Sequence, residues 1–260
     1  MKFVDYNSPE KAILKNIFNS ISDMDVWICS IIEGYIYETV EEENILYRYK
    51  YTLRYDKKEG EYKEWYVKNG QLVEQCYYKE DKKEGEYKQW HSNGQLWNHM
   101  WYKDGLIEGE CKGWSDKGIL WCHEYYKEGK REGKFKNWYS NGQLCNKRYY
   151  KEGKREGEAK SWYDNGQLDS ECIFKEDKIE GEYKIWHRNG QLWDYRWYKD
   201  GKLEGERKEW YQNGQLYIQG YYKKGKREGE FKSWNKEGEL IEHMIYENDE
   251  VVETIVEVTL

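Results

Sequence analysis

No stretch of the 260 residues approaches the ~20 consecutive apolar residues that a membrane-spanning helix needs. The start, Met1-Lys2-Phe3-Val4-Asp5-Tyr6, leads into no uninterrupted apolar core with a small-residue cleavage site, so no signal peptide is read there. Asn-x-Ser/Thr glycosylation acceptors are missing too. The six cysteines (Cys29, Cys76, Cys111, Cys122, Cys145 and Cys172) show no Cys-x-x-Cys spacing and fall in different sequence contexts. They read as reduced core fillers, not as a disulfide or metal framework. A basic excess is also absent: 43 Lys and Arg against 50 Asp and Glu give a net charge of -7. That balance argues against nucleic acid as a partner, and no polybasic tract supports anionic lipid.

Signatures of catalysis are missing in the same way. Gly129-Lys130-Arg131-Glu132-Gly133-Lys134 is one residue short of a phosphate-binding loop and recurs elsewhere as an ordinary turn. There is no His-Glu-x-x-His and no Gly-x-Ser-x-Gly. His99, His123 and His243 share one column of the repeat described below, but nothing supplies further metal ligands at short spacing. Acid–base chemistry needs carboxylates in unlike environments, whereas equivalent Glu residues recur here in equivalent ones. The expectation is a non-enzymatic protein with no catalytic, cofactor or metal residues and no cofactor.

What the chain does contain is repetition. Its mean hydropathy of -1.21 would suggest disorder, but 14 Trp and 27 Tyr supply the apolar area for a thin, aromatic core. Trp65, Trp90, Trp114, Trp138, Trp162, Trp186, Trp210 and Trp234 form one column; the first step is 25 residues and every later one is 24. Each copy opens on Glu-Gly, as at Glu132-Gly133, and most close on Asn-Gly-Gln-Leu, as at Asn141-Gly142-Gln143-Leu144. Asn-Gly between aromatic segments predicts a type I′ hairpin turn, with Lys127-Glu128-Gly129-Lys130-Arg131-Glu132-Gly133 as the second turn joining one hairpin to the next. Each copy is thus two short strands and two turns, marginal alone and stable only when stacked.

The Trp, Leu and following Tyr columns (Tyr78, Tyr102, Tyr126, Tyr150, Phe174, Tyr198, Tyr222 and Tyr246) are expected to form a continuous buried ladder. The recurrent Lys (Lys63 to Lys232) and the Glu before Gly are expected to form solvated ladders outside. At roughly 4.8 Å per strand, eight copies would extend about 75 Å. Specific function is expected where the copies differ: His91, Ser115 and Tyr139 after the Trp, or His99, Lys147 and Tyr195 after the Leu.

Flanking segments differ in character. Ser8-Pro9-Glu10 is a helix start, and Ile13, Leu14, Ile17, Phe18 and Ile21 share one helical face. Residues 1–32 are read as a helical cap, 33–248 as the array (one degenerate copy plus eight regular ones) and 249–260 as a closing strand. That strand is β-branched, and its apolar residues offer a place where a second chain could pair.

Glu-Gly-x-Tyr-Lys-x-Trp-x-x-Asn-Gly-Gln-Leu followed by Tyr-Tyr-Lys-x-Gly-Lys-x-Glu-Gly resembles MORN repeats, in the variant found in bacterial antitoxin-like repeat proteins. The resemblance covers 33–248 and implies an all-β fold: an elongated, single-layer, twisted antiparallel sheet of stacked β-hairpins. Glu-Gly stands where His-Gly is common in that family. It implies a scaffold or protein–protein interaction module, with membrane-proximal scaffolding as a family alternative. Ile13-Leu14, Ile17-Phe18, Ile21 and Asp25-Val26 resemble the opening of an F-box, which would imply a substrate adaptor for ubiquitin ligation. MORN arrays joined to such segments are met in large DNA viruses of amoebae. The resulting expectations are an unidentified protein partner, a homodimer, and residence in the cytoplasm (of a host cell, or the virion, if the source is viral).

Overall fold

A computed structural model describes residues 37–257, which carry 24 strands, every pairing between them antiparallel. The helical cap and F-box-like segment expected over 1–32 lie outside the described residues, as does the start of the degenerate copy. The chain divides into two units, described here one at a time. Among the described residues, unit 1 comprises 37–108 with the turn 116–118, and unit 2 comprises 109–115 with 119–257. In both, strands pair with their neighbours along the chain as an open, all-β sheet of hairpins.

The hairpin Gly133–Trp138 and Leu144–Lys151 of unit 2 shows why. Alternation places Lys134, Lys136 and Trp138 on one face and Phe135 and Asn137 on the other. The register then sets Phe135 opposite Arg148, Gly133 opposite Tyr150, and Lys136 opposite Lys147. Phe135 and Tyr150 meet edge-to-face at 6.0 Å, and the same pair recurs as Tyr183–Tyr198 and Phe231–Tyr246. In unit 1 it recurs as Tyr62–Tyr78 and Tyr87–Tyr102. This face, called inner below, holds the buried side chains: Tyr62, Cys76 and Tyr87 in unit 1, and Cys122, Tyr150, Ala159, Cys172 and Phe174 in unit 2.

The expected ladder is therefore half right. The Tyr column is in the core, but its partner is the second residue after Glu-Gly, Tyr62 or Phe135, and not the Trp. The Trp column shares the outer face with Lys and stays half-buried in every copy. The cysteines expected as reduced fillers are free thiols among the described residues, with Cys76, Cys122 and Cys172 buried.

The turn chemistry is the reverse of the expectation. Both residues of Glu128-Gly129 take positive φ (49° and 74°) between the paired Lys127 and Lys130, as a two-residue type I′ turn requires. At Asn141-Gly142 only the glycine is left-handed, at φ 83°. There Tyr139 N–H donates to the Gln143 carbonyl and Gly142 N–H to the Tyr139 carbonyl, a longer loop ending in a register shift at Trp138. Asn is chosen there for its side chain: Oδ1 accepts the Gln143 N–H at 3.0 Å, closing an Asx turn.

Candidate functional site: the outer face of the hairpins

Which side chains are free for a partner depends on which are used to join one copy to the next. The Glu of Glu-Gly belongs to the second group, not to a solvated ladder. Its carboxylate accepts the backbone N–H of the first left-handed residue in the following type I′ turn. Examples are Glu152 N–H to Glu132 (2.8 Å), Glu176 to Glu156 (2.9 Å), Asp200 to Glu180 (2.8 Å) and Lys224 to Glu204 (2.7 Å). Unit 1 repeats this with Glu80 on Glu59 and Asp104 on Glu84. The second turn residue is tied too: Gly153 N–H donates to the Arg131 carbonyl at 2.9 Å. Where that residue is Asp177, its carboxylate accepts both the N–H and the Nε–H of Arg155, at 3.0 and 2.9 Å.

The opposite ends of the hairpins are joined similarly. Asn141 Nδ2–H donates to the Asp164 carbonyl at 2.7 Å, and Asn213 to that of Lys236 at 3.2 Å. The residue after Trp, expected to vary for function, does the same work: the hydroxyls of Tyr139, Tyr163 and Tyr211 donate to the carbonyls of Trp162, Trp186 and Trp234. Ser115 accepts the Ile119 N–H within its own loop, and His91 stacks near Trp97 at 5.6 Å. Sequence reasoning missed these ties because their partners lie 20 to 23 residues away, a relation visible only once the register is known.

On the inner face, the buried carboxylates Glu124 and Asp194, and the half-buried Glu209, are each paired with an arginine that stays partly exposed. Asp194 is salt-bridged to Arg196, Glu124 to Arg131 (2.7 Å), and Glu209 to Arg207. Burial pushes the Cys76 and Cys122 thiols up to about 12, and those of Cys111 and Cys172 to about 11. They are therefore poor nucleophiles at neutral pH. A shallow cavity of about 260 Å³ is lined by Arg148, Arg155, Ser161, Ser170 and Phe174. Its Ser161 hydroxyl meets Asp169 at 2.8 Å and Ser170 at 2.6 Å, while Lys160, which also lines the cavity, is paired with Glu158 and Glu171. Among the described residues, no group of three or more His, Cys, Asp or Glu could hold a metal ion.

The outer face is organised in rows. Glu and Lys two residues apart pair along the first strand of the hairpins, as Glu158–Lys160 (2.9 Å) and Glu206–Lys208 (2.7 Å), except where Lys134 replaces the Glu. The Lys draws the Glu158 carboxyl below its ordinary value by hydrogen bonding. His99 of unit 1 joins Glu86 at 2.9 Å, and in unit 2 His123 joins Glu110 at 2.8 Å, Lys147 approaches Glu158 at 3.6 Å and Tyr195 Oη approaches Glu182 at 3.5 Å. Directly opposite four of these Glu stands an exposed apolar residue: Tyr125 faces Glu110, Ile173 faces Glu158, Trp197 faces Glu182 and Tyr221 faces Glu206, while Glu230 faces the half-buried Ile245. Tyr149 faces Lys134, the one copy in unit 2 without the Glu.

The Gly of Glu-Gly keeps this row in place. Phe174 pairs with Ile179 but Cys172 with Tyr183, so the register jumps opposite Ile173, where Gly181 has φ 76°. This is a bulge that re-aims the apolar side chain. A Cβ on Gly181 would touch nothing within 4 Å, so glycine is needed there for its backbone angle alone.

Comparison with protein families gives a match to the model described as MORN repeat variant over 83–104, 131–152, 155–176, 179–194, 203–224 and 227–248. No curated protein matches. Among solved structures, one titled "Crystal Structure of TarM" is similar over 65% of this chain and 27% of that one, at 10% identity and a TM-score of 0.19. The chain thus spans about a quarter of that protein's length, and a likeness at that score carries no argument.

Proposed function

This chain belongs to the MORN repeat family, and from that premise we propose that it is a non-enzymatic scaffold whose outer face receives a protein partner. What supports this reading is the division of labour between side chains. Those that recur in the motif turn the hairpins or tie one copy to the next, leaving Tyr125, Tyr149, Ile173, Trp197 and Tyr221 exposed in one row of unit 2. Large apolar side chains repeated on a solvent-facing surface mark interaction sites. The test is the variant Tyr149→Ser/Trp197→Ser/Tyr221→Ser. Its thermal melting should match the parent chain's within a few degrees; a large drop would mean that the row serves stability and not a partner.

A second copy of the chain is one such partner. Val251, Val252 and Ile255 are about half exposed on the strand Glu250–Glu257, which supports self-association there. Sedimentation should give a dimer mass that Val252→Lys/Ile255→Lys converts to a monomer; a monomer mass for the parent chain at micromolar concentration removes this reading.

A further inference from the structure

Five successive type I′ turns of unit 2 are closed by two lysines directly opposite one another: Lys127–Lys130, Lys151–Lys154, Lys175–Lys178, Lys199–Lys202 and Lys223–Lys226; the last turn, Asn248-Asp249, is closed by Glu247 and Glu250 instead. All ten are exposed. Like charges in directly opposed positions destabilise a hairpin, and here the arrangement is made five times in succession. The stems lie against the next turn, since a Cβ added to Gly153 or Gly201 would come within 3.7 or 3.3 Å of the Lys130 or Lys178 Cβ. A methylene stem would do this without an ammonium. Lys154 also lies 3.7 Å from Glu176, a weak exposed pair. The charge itself is therefore the unexplained feature, in a chain whose net charge is -7.

Strand alternation puts this lysine row beside the exposed apolar row, because Lys127, Lys151, Lys175, Lys199 and Lys223 each follow Tyr125, Tyr149, Ile173, Trp197 and Tyr221 by two residues. Both rows repeat every two strands, about 9.6 Å. A polyproline II helix completes one three-residue turn in about 9.3 Å. Laid across the strands it would drift by only about 1.2 Å over five copies. An α-helix matched at seven residues, about 10.5 Å, would drift by about 3.6 Å. An extended strand repeats its face every ~6.7 Å and does not match.

We propose that the lysine and apolar rows of unit 2 together bind a proline-rich, acidic segment of another protein in the polyproline II conformation. One apolar or prolyl residue per turn sits on the aromatic row, and one carboxylate per turn sits on a lysine pair. The free carbonyls of such a helix accept hydrogen bonds from the lysines that flank it. A continuous polyphosphate backbone fits less well, because Glu158, Glu182 and Glu206 stand within the apolar row. Pro9 is the only proline of this chain, so the ligand is not its own segment.

The proposal rests on the reading of the outer face as a partner surface, and the test separates the two. Labelled (Pro-Pro-Glu)6 is titrated against the full chain by fluorescence anisotropy, beside (Pro-Pro-Lys)6, an oligoglutamate of equal charge, a single-stranded oligonucleotide and anionic vesicles. Saturable binding of (Pro-Pro-Glu)6 is expected, at least roughly tenfold tighter than that of oligoglutamate, with none of (Pro-Pro-Lys)6. Lys151→Glu/Lys175→Glu/Lys199→Glu should weaken it roughly tenfold or more while melting holds or rises, because each like-charge pair becomes an opposite one. Failure of (Pro-Pro-Glu)6 to bind, equal affinity for oligoglutamate, tighter binding of the oligonucleotide or vesicles, or indifference to the lysine reversals overturns the proposal. If the apolar-row variant still melts like the parent chain, the scaffold reading survives that failure; if it melts far lower, the scaffold reading fails on its own.

Discussion

Glu156 and Glu158 are two residues apart in the same motif, yet their replacement by Ala should differ in cost. Glu156 accepts the N–H of Glu176 at 2.9 Å, and Glu176 is held left-handed at φ 46°. A hydrogen bond to a charged acceptor contributes about 1.5–3 kcal/mol, and water at an accessible turn replaces part of it. The left-handed angle of a non-glycine residue costs about 1–2 kcal/mol, and the clamp is one of the contacts that offset it. Glu156→Ala should therefore destabilise by about 1–2 kcal/mol. Glu158 pairs with Lys160 at 2.9 Å on the outer face, with half its side chain exposed, and an exposed pair contributes at most about 0.5–1 kcal/mol. Thermal melting followed by tryptophan fluorescence distinguishes them. At about 2–4 °C per kcal/mol, Glu156→Ala should lower the midpoint by about 2–8 °C and Glu158→Ala by at most about 2–4 °C. Glu156→Ala, Glu180→Ala and Glu204→Ala should add, each clamp lying about 9.6 Å from the next. Equal small effects at 156 and 158 would return the Glu of Glu-Gly to the solvated ladder and refute the clamp.

Three further outcomes are expected. Gly157→Ala should cost about 1 kcal/mol from its positive φ of 72° and Gly157→Asn less, whereas Gly220→Ala should cost about 2–3 kcal/mol because its Cβ would lie 2.2 Å from the Phe231 ring. Shortening Phe231 should rescue Gly220→Ala and not Gly157→Ala in denaturant unfolding. The Asp177 carboxyl is held below its ordinary value, first by the Arg155 backbone N–H and then by its guanidinium. A lowered folded value contributes stability above the unfolded pKa, about 3.9, and loses it as pH falls through the folded one. Asp177→Asn should accordingly melt lower than the parent at pH 7 and converge with it below about pH 4; a gap that widens in acid would reverse the assignment. Site-resolved alkylation at pH 8 should spare Cys76, Cys122 and Cys172 in the native chain and reach them in urea; native labelling of Cys76 would place it at the surface.

The two-strand, two-turn unit could be read from Trp spacing and turn residues alone. The identity of each turn could not be read from Asn-Gly, whose usual preference is for two-residue hairpins. The loop at Asn141 is longer, and the true two-residue turn carries Glu128, a residue with no intrinsic liking for positive φ. Gly129 beside it supplies the second left-handed residue, and in the later turns Glu152 and Glu176 are held by the preceding Glu132 and Glu156. The Trp column was misplaced by treating recurrence as burial. Alternation already set Trp138 with Lys134 and Lys136 and against Phe135, so the signal was present in the period of two. The row of apolar residues opposite Glu, and the lysine pairs beside it, needed the register. Along the chain Lys-Glu-Gly-Lys is a mixed-charge turn, and only pairing aligns its lysines.

Amide hydrogen exchange at the turn residues tests most directly whether the recurrent Glu joins the copies. The N–H groups of Glu152, Glu176, Asp200 and Lys224 should exchange at least roughly tenfold more slowly than free turn amides, and Glu156→Ala should release that of Glu176 while Glu158→Ala leaves it protected. Free exchange of these amides in the parent chain, or continued protection of Glu176 in Glu156→Ala, would show that something other than this carboxylate holds one hairpin to the next.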